Sequence, residues 1–431
     1  MGLVTSATLA HLGHEVAAVD VAAEKIAMLE RGETPFFELG LDDLIAAGVS
    51  RRFLRFSTDP AAVIIGAEVV FICVGTPPEL SGEANLEAVD RSAADIARYA
   101  SGPIVVVEKS TVPAGTAARV RDALRRGRPD VAFHVVSNPE FLREGQAVND
   151  SLEPERILVG ADDETGFDVM RRLYEPLTAK GHRLIQTDVV TAELSKHACN
   201  AFLALKISYA NALARICELV GADVMSVTEV MGADARIAPA FLAAGLGYGG
   251  YCFPKDLAAF EAFVGKLGYR FSILPEIARI NDEAIDAVVT KVRSVVPELP
   301  GKRICVLGLS FKPDTDDVRL SPALEVARRL IDLGADVVGY DPMAGPSAQR
   351  EVPSLIVTQD PYDAAEGAQV LVLATAWDEF RLLDLARLRE VMARPVIIDG
   401  RNLWDPQAVV EAGFAYLPTG RSPAGPGREG T

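Results

Sequence analysis

The sequence is poor in positive charge. Among its 431 residues, 60 are Asp or Glu and only 43 are Lys or Arg, which gives a formal net charge of -17. Nucleic acids and anionic membranes bind basic surfaces, so this imbalance argues against both as partners. It does not exclude a small anionic ligand that a few local cations hold.

Cysteine, histidine and long apolar runs are also scarce. The five cysteines are odd in number and widely spaced, which predicts neither a disulfide framework nor a zinc site, and the five histidines lack metal-ligand spacing. No stretch reaches the roughly 18 apolar residues of a membrane span, and the amino terminus has no signal-peptide pattern. We therefore expect a cytoplasmic protein without a metal ion.

In both halves of the chain, short apolar runs alternate with amphipathic segments. Such alternation predicts an α/β fold with a doubly wound parallel sheet in each half. Ligands bind such sheets at the carboxyl ends of the strands. Four residues lie at or just after the ends of strand-like runs in the first half and are therefore site candidates: Asp20, Gly75, Thr111 and Glu140.

A long apolar helical pattern from Thr191 to about Val220 separates the two halves. The segment VPELPGK at 296–302 marks a boundary, because it carries two prolines and a glycine. We predict three domains and a Pro- and Gly-rich disordered tail, over 1–190, 191–295, 296–416 and 417–431.

The two sheet regions share a repeated pattern. LGHEVAAVD (12–20) and LGADVVGYD (333–341) each predict the end of a helix followed by a strand that ends in aspartate. The strand RICVLG precedes the second helix, whereas no strand precedes the first, and only Gly2 remains of a G-x-G-x-x-G loop. We therefore expect the natural protein to begin roughly ten residues earlier. Asp20 would bind a dinucleotide ribose, with a loop-edge aspartate as the alternative.

The stretch GYGGYCFPKD (247–256) places Cys252 among glycines and charged residues rather than among aliphatic ones. Glycine lets the backbone bend closely around a ligand, a lysine such as Lys255 favours the nucleophilic thiolate, and Asp256 can orient a water molecule. These neighbours predict a nucleophilic cysteine, with core packing as the alternative. We expect core packing for the other four cysteines.

Lys196 and Asn200 are four residues apart in the long helical pattern, so they share one otherwise apolar face. Two donors there could stabilise a developing oxyanion; a lysine that reaches for solvent and a solvated asparagine are the alternative. The segment NPEFLREG places Glu140, Arg143 and Glu144 directly after a strand, where either a site or a surface charge cluster is possible.

Six motifs together resemble the nucleotide-sugar 6-dehydrogenases, the UDP-glucose/GDP-mannose dehydrogenase family. They are KSTVPAGT (109–116), NPEFLREGQAVND (138–150), AELSKHACNAFLALKIS (192–208), GYGGYCFPKD (247–256), GLSFKPDTDDVR (308–319) and DGRN (399–402). The resemblance implies two Rossmann-like domains, NAD-binding and UDP-sugar-binding, joined by a long central helix that is the core of a homodimer. The phenylalanine after Cys252 favours UDP-glucose as substrate.

The resemblance also implies a reaction. C6 of UDP-glucose loses a hydride to NAD, and the Cys252 thiolate captures the resulting aldehyde as a thiohemiacetal. A second hydride loss leaves a thioester, and water then releases UDP-glucuronate. The overall reaction is a two-step, four-electron oxidation.

By the same resemblance, each candidate residue receives a role. The catalytic residues are Cys252 as nucleophile, Lys196 and Asn200 as oxyanion donors, and Asp256, Thr111 and Glu140 as groups that assist water. The cofactor residues are Gly2, Asp20, Lys25, Gly75, Thr76, Thr111, Glu144 and Arg319. The substrate residues are Glu140, Phe141, Leu142, Arg143, Glu144, Lys196, Asn200, Arg236, Phe241, Tyr248, Gly249, Phe253, Lys255, Phe311, Lys312 and Arg401. Arg236 matches an arginine that reaches a neighbouring subunit's substrate.

Two alternatives stay open. A catalytically silent nucleotide-sugar-binding or assembly protein fits the incomplete dinucleotide loop, whereas the presence of Cys252, Lys196, Asn200 and Asp256 favours the enzyme. A dehydrogenase of another nucleotide sugar is the second alternative. The chain also departs from the family at Tyr251, where many members have serine.

Overall fold

The computed structural model describes residues 1–426. The chain divides into two compact units. Unit 1 comprises Met1–Cys199 and Lys255–Tyr269, and unit 2 comprises Asn200–Pro254 together with the residues from Arg270 on.

Unit 1 contains two sheets. The smaller sheet pairs β1 (Val16–Val19) with β2 (Leu54–Ser57) in parallel. The larger sheet consists of β3 (Val69–Ile72), β4 (Ile104–Glu108), β5 (Phe133–Ser137), β6 (Ile157–Ala161) and β7 (Leu184–Thr187), hydrogen-bonded in that order. Strand β6 runs antiparallel to β5, which departs from the parallel order that the sequence predicted. An antiparallel neighbour needs no long crossover, and the β5–β6 connection carries only one short helix.

Helices cover both faces of the larger sheet, because its strands are apolar on both sides. Along β4, Ile104 and Val106 pack into one cluster, while Val105 and Val107 pack into another. All five residues of β4 are buried, as expected for a strand covered on two faces. The helices of unit 1 are α1 (Gly2–His11), α2 (Ala23–Glu30), α3 (Leu41–Ser50), α4 (Pro60–Ile64), α5 (Glu87–Tyr99), α6 (Thr116–Gly127), α7 (Ala147–Leu152), α8 (Glu164–Leu173) and α9 (Glu175–Thr178).

Two helices contribute residues to both units. The predicted long helix is α10 (Val189–Val220), which has 32 residues. Helix α12 (Cys252–Lys266) begins in unit 2, and its later residues belong to unit 1. Between and after them, α11 (Val224–Gly232) and α13 (Ile273–Val295) belong to unit 2.

Unit 2 contains a six-stranded sheet in which every neighbouring pair is parallel. Its strands are β8 (Arg303–Leu307), β9 (Asp336–Tyr340), β10 (Ile356–Val357), β11 (Val370–Leu373), β12 (Val396–Asp399) and β13 (Ala415–Pro418). Their order is β10-β9-β8-β11-β12-β13, which is the strand order of a dinucleotide-binding Rossmann fold. The remaining helices are α14 (Pro322–Asp332), α15 (Gly345–Glu351), α16 (Pro361–Ala365), a 3-10 helix (Asp378–Leu382), α17 (Leu385–Val391) and α18 (Pro406–Glu411).

The prediction of a disordered tail from residue 417 is wrong as far as residue 426. Strand β13 extends to Pro418, Ala424 pairs with Tyr416 in an antiparallel bridge, and Arg421 forms an ion pair with Asp223. The Pro and Gly residues there shape a turn that returns to the sheet, so their composition does not prevent order. The rest of the predicted tail, 427–431, lies outside the described residues.

Within residues 1–426, no helix is long and apolar enough to cross a membrane. The same part of the chain contains no group of three or more His, Cys, Asp or Glu side chains placed to hold a metal ion.

Candidate active site

In unit 1, the candidate residues follow strand ends as predicted. Asp20 comes directly after β1, and Gly75, Thr111 and Glu140 each lie three residues after the end of β3, β4 and β5. Because these three strands are parallel neighbours, their carboxyl ends share one edge of the sheet. Thr76 Oγ1 donates a hydrogen bond to the Thr111 carbonyl at 2.9 Å, which joins two of the loops.

Glu140 and Lys196 form a buried ion pair. Lys196 Nζ lies 3.2 Å from Glu140 Oε1, and the two side chains are 5% and 7% exposed. The backbone N–H of Leu142 donates to Glu140 Oε2 at 2.6 Å. A buried charge is tolerated when it is paired and hydrogen-bonded, so this geometry holds both charges out of water. The alternative of a lysine that reaches for solvent is therefore wrong, and Asn200 on α10 is buried as well.

Two cations lie against the ring of Phe141. Lys196 Nζ is 5.4 Å from the ring centroid, and Arg156 Cζ is 4.0 Å from it. Cation–π contacts of this kind hold a ring in place, so they help to fix the segment that carries Glu140. Arg156 was not singled out from the sequence, because no motif surrounds it. Arg143, by contrast, is exposed and donates to the Asp150 carboxylate from both its backbone N–H and its guanidinium.

Within unit 1, His197 connects the loop after β4 to helix α12. Its Nε2 lies 3.0 Å from the carbonyl oxygen of Val112, next to Thr111, and its Nδ1 lies 3.3 Å from the carbonyl oxygen of Asp256. Burial lowers the pKa of His197, so the imidazole is neutral at pH 7 and donates to one of the two carbonyls. No role for His197 was predicted from the sequence. The Asp256 side chain accepts a hydrogen bond from Lys255 Nζ, and both groups are buried.

Two further buried carboxyl groups belong to this region of unit 1. Glu193 accepts the N–H groups of Gly115 and Ala117 at 2.6 and 2.7 Å, at the amino end of α6. Glu108, the last residue of β4, accepts the Ser110 N–H, and its other oxygen has no hydrogen-bond partner. Burial raises the pKa of Glu108 to about 8 and that of Glu193 to about 7. Glu108 is therefore largely protonated at pH 7.

The residues around Asp20 fit the adenosine half of a dinucleotide. The Ala22 N–H donates to Asp20 Oδ1 at 2.8 Å, and Lys25 Nζ lies 3.7 Å from Oδ2. The carboxylate stays partly exposed, so it can accept hydrogen bonds from ribose hydroxyls. Helix α1 begins at Gly2, where a Cβ would lie 3.1 Å from Cys73 Cβ. The start of the helix therefore packs closely against the end of β3. Close packing of this kind is the role of the last glycine of a dinucleotide loop.

In unit 2, Asn281 holds the glycine-rich loop before Cys252. Asn281 Oδ1 accepts the Tyr248 N–H at 2.7 Å, and Asn281 Nδ2 donates to the Tyr248 carbonyl at 3.1 Å. Gly247 has φ +100°, and a Cβ there would lie 2.5 Å from the same amide oxygen. Sequence reasoning missed Asn281, which begins the ordinary polar run NDE (281–283) within α13.

The other loop glycines are needed because neighbouring atoms occupy the space of a Cβ. At Gly249 a Cβ would lie 2.3 Å from the Leu320 carbonyl oxygen, and at Gly250 it would lie 2.7 Å from the Phe311 ring. The predicted substrate residue Phe311 therefore packs directly against this loop.

Three aromatic rings, those of Phe241, Tyr248 and Phe253, cluster beside this loop. The ring centroid of Phe253 lies 5.9 Å from that of Tyr248 and 6.2 Å from that of Phe241. Cys252 is the first residue of α12 and is partly exposed. The amino end of a helix favours negative charge, which suits a nucleophilic sulfur. The structure thus brings Phe241, Tyr248 and Phe253 together next to the predicted nucleophile.

The predicted cationic residues of unit 2 have different surroundings. Arg319 pairs with Asp317 and lies over the Tyr251 ring at 4.7 Å. Arg401 Nε donates to the Ala374 carbonyl at 2.7 Å, and burial lowers the pKa of Arg401 to about 10. The remaining two are less enclosed. Lys312 Nζ is 5.9 Å from the Phe311 ring centroid, while the Arg236 side chain is 89% exposed and pairs with Asp234.

Unit 1 places Asp20 after β1 of its smaller sheet and a buried Glu140–Lys196 pair at the carboxyl edge of its larger sheet. Together with the match of an NAD binding domain to this part of the chain, these features define an NAD-dependent oxidoreductase. The chain belongs to the UDP-glucose/GDP-mannose dehydrogenase family. The NAD binding domain of that family matches residues 1–178, its central domain matches 190–283, and its UDP binding domain matches 305–406.

Individual relatives match along almost the whole chain. A UDP-glucose 6-dehydrogenase of Rhizobium meliloti is 42% identical over 425 residues, which cover 98% of this chain and 97% of the relative. The UDP-glucose 6-dehydrogenase TuaD of Bacillus subtilis is 39% identical and covers 98% of this chain and 91% of its own length. The solved structure of a UDP-glucose dehydrogenase from Pyrobaculum islandicum has 35% identity and a TM-score of 0.91, covering 98% of this chain and 95% of that one.

Proposed function

We propose that the protein oxidises UDP-glucose to UDP-glucuronate in two steps that remove four electrons, through a covalent intermediate on Cys252. The observation that carries this proposal is the position of Cys252, at the amino end of α12 and directly after a loop that Asn281 and Phe311 hold in place. The names of the relatives support UDP-glucose as the substrate.

NAD, held by Asp20 and Lys25 at the ribose and by the loops at Gly75 and Thr111, supplies the hydride acceptor for both oxidations. The protein's own residues do the rest. After the C6 alcohol has become an aldehyde, Cys252 Sγ forms a bond to C6, and the carbonyl oxygen gains a proton to give a thiohemiacetal. Loss of a second hydride and the hydroxyl proton leaves a thioester. The aldehyde stays attached to the enzyme while cofactor is exchanged.

Lys196 and Asn200 stabilise negative charge on the C6 oxygen. Lys196 is buried in its ion pair with Glu140, so solvent screens its charge little. Both donors project from one helix, α10, which keeps their spacing fixed. A preorganised pair of donors contributes most when charge develops in the transition state.

Hydrolysis completes the cycle. Asp256 orients the water molecule that attacks the thioester carbonyl, with Thr111 and Glu140 as further acceptors. The C–S bond breaks, the sulfur regains a proton, and the carboxylate product leaves. Phe311, Lys312 and Arg401 bind the UDP moiety, and Phe141, Phe241, Tyr248 and Phe253 are further substrate-binding residues.

We further propose that the active form is a homodimer built on α10. Phe202, Tyr209 and Ile216 recur every seven residues on this helix and are 61%, 51% and 53% exposed. Large apolar side chains at this spacing form one stripe, and such a stripe is typical of a protein–protein interface. Arg236, which is highly exposed, is then available to reach the substrate of the partner subunit.

One assay tests the proposed reaction. The protein is mixed with NAD and a panel of UDP- and GDP-sugars, and the formation of reduced nicotinamide is followed by absorbance. We expect two reduced cofactors per UDP-glucose and slower or no turnover with the other sugars. Binding of UDP-glucose without any cofactor reduction would instead support a silent binding protein, and preferential turnover of another sugar would change the substrate assignment.

A further inference from the structure

Asp341 occupies the same place in unit 2 that Asp20 occupies in unit 1. Asp20 is the first residue after β1, and Asp341 is the first residue after β9; both strands follow the first helix of their sheet region. Their surroundings differ sharply. Asp20 is partly exposed and accepts the Ala22 N–H, whereas Asp341 is 5% exposed and is surrounded by donors.

The donors around Asp341 saturate the hydrogen-bonding capacity of its carboxylate. Oδ2 accepts the N–H groups of Leu309 and Ser310 at 2.7 and 2.9 Å, the Ser310 hydroxyl at 3.0 Å and the Trp377 Nε1–H at 3.1 Å. Oδ1 accepts the N–H groups of Met343 and Ala344 at 3.0 and 2.7 Å. An ionised carboxylate offers about four lone-pair sites, so no capacity is left for a ribose hydroxyl.

The segment that Asp341 holds is the loop after β8, residues 308–312. Gly308 N–H donates to the Tyr340 carbonyl at 2.8 Å, which places the loop beside the end of β9. The Leu309 carbonyl accepts the Ser321 hydroxyl at 2.8 Å, and the Ser310 carbonyl accepts the Thr375 hydroxyl at 2.6 Å. The N–H groups and the carbonyls of the loop are thus both hydrogen-bonded. Asp341 accepts from the N–H groups, while the Ser321 and Thr375 hydroxyls donate to the carbonyls.

The loop ends at two residues with a proposed function. Phe311 and Lys312 follow Ser310 directly, and the Phe311 ring fills the space beside Gly250, two residues before Cys252. A shift of the loop would therefore move the proposed UDP contacts and press on the glycine-rich loop at the same time.

We propose that Asp341 is a positioning residue for UDP binding: the acid that binds ribose in the first sheet region has become, in the second, the anchor of the loop that carries Phe311 and Lys312. This inference rests on the proposed function for the roles of those two residues. It also explains how a unit with Rossmann strand order binds a nucleotide without an acid free to take a ribose.

The test is to measure the affinities of UDP and NAD by calorimetry in Asp341→Asn and in the parent protein. The amide keeps the shape of the side chain but replaces one acceptor oxygen by a donor, which then faces the N–H groups of the loop or those of Met343 and Ala344 before α15. We expect at least tenfold weaker UDP binding, NAD binding within twofold of the parent, and a shift in Trp emission because the Trp377 Nε1–H loses its charged acceptor.

Two variants make the result decisive. Asp360→Asn makes the same chemical change at a residue that caps α16 through the Tyr362 and Asp363 N–H groups, and it should leave UDP affinity unchanged. Ser310→Ala removes one of the six hydrogen bonds to Asp341 and should weaken UDP binding about fivefold, which tests the proposal if Asp341→Asn does not fold.

The possible failures are separable. A parent protein that does not bind UDP overturns the proposed function and this inference with it. A parent that binds UDP, together with a folded Asp341→Asn that binds UDP equally well or loses UDP and NAD affinity to the same extent, overturns this inference alone.

Discussion

Lys196 Nζ lies 3.2 Å from Glu140 Oε1, and neither side chain is more than 7% exposed. The pair joins helix α10 to the loop after β5, so the Lys196 ammonium is buried at the carboxyl edge of the sheet. Water would weaken its field, whereas this environment strengthens it. The position of this charge is the feature on which the proposed chemistry depends most.

Lys196→Ala should lower kcat by about 100-fold or more and raise KM for UDP-glucose much less, because the ammonium acts where charge develops. It should also destabilise the protein by roughly 3–5 kcal/mol, since Glu140 is left buried and unpaired. Steady-state kinetics and urea unfolding measure the two effects. The matched control is Lys180→Ala, at an exposed ion pair with Glu153. Kinetics of Lys196→Ala within twofold of the parent would contradict the assignment.

Glu108→Gln should change how stability depends on pH. The pKa of Glu108 is raised to about 8 in the folded protein, from 4.5 for an ordinary glutamate. Its contribution to stability is complete below pH 4.5 and is lost as pH rises to about 8, because the unfolded chain ionises first. That loss is on the order of 4 kcal/mol, at about 1.4 kcal/mol per unit. Relative to the parent, the variant should thus become more stable from pH 5 to pH 9.

The measurement is Tm at several pH values for the parent and for Glu108→Gln. Glu155→Gln, at a side chain that is 94% exposed, serves as the control and should give a difference independent of pH. An equally flat difference for Glu108→Gln would show that the carboxyl group is not held protonated.

Gly250→Ala should weaken binding of the UDP-sugar by tenfold or more. Gly250 has φ +76°, and the new Cβ would lie 2.7 Å from the Phe311 ring, so the variant combines backbone strain with displacement of a proposed substrate residue. Gly301→Ala is the matched control: its φ is +68°, and nothing lies within 4 Å of the added Cβ. It should cost about 1 kcal/mol of stability and leave binding unchanged. Equal effects of the two variants on binding would refute the steric argument.

Phe202→Glu should shift the protein from dimer to monomer, because it places a charge in the exposed apolar stripe of α10. Sedimentation velocity across a range of concentrations measures the change. Leu382→Glu, at an exposed apolar residue on the 3-10 helix, controls for the added charge. A parent that sediments as a monomer, or a Phe202→Glu variant that remains a dimer, would contradict the proposed interface.

The sheet strands with uninterrupted apolar runs were predictable from the sequence. Strand β8 falls on the predicted run RICVLG, and strand β4 is a similar uninterrupted apolar run with five buried residues. Short or half-exposed strands were missed: β2 has one buried residue of four, and β10 has only two residues. Such segments gain little from burial, so their pairing depends on neighbours that are distant in the chain.

The residues of the candidate site also divide into those that the sequence predicts and those that it does not. Residues in motifs, such as Cys252 and Lys196, could be named because their chemistry is unusual for their local pattern. Asn281 could not, because it looks ordinary beside its chain neighbours and acts on a loop 33 residues away. The repeated pattern placed Asp341 at the end of a strand but did not predict its role, because the loop that it binds is 32 residues away. The antiparallel β6 was missed for a related reason, since strand direction depends on the path of the connection rather than on residue type.

We propose that the acid is formed through a covalent bond to Cys252. Measuring UDP-glucuronate production by Cys252→Ser with NAD and UDP-glucose tests this most directly. Cys199→Ser, which removes another partly exposed thiol, is the control and should retain activity. We expect Cys252→Ser to fold and bind UDP-glucose but to produce no acid at a measurable steady-state rate, because a serine hydroxyl does not replace the thiolate. Acid production by Cys252→Ser at the rate of the parent would contradict this proposal.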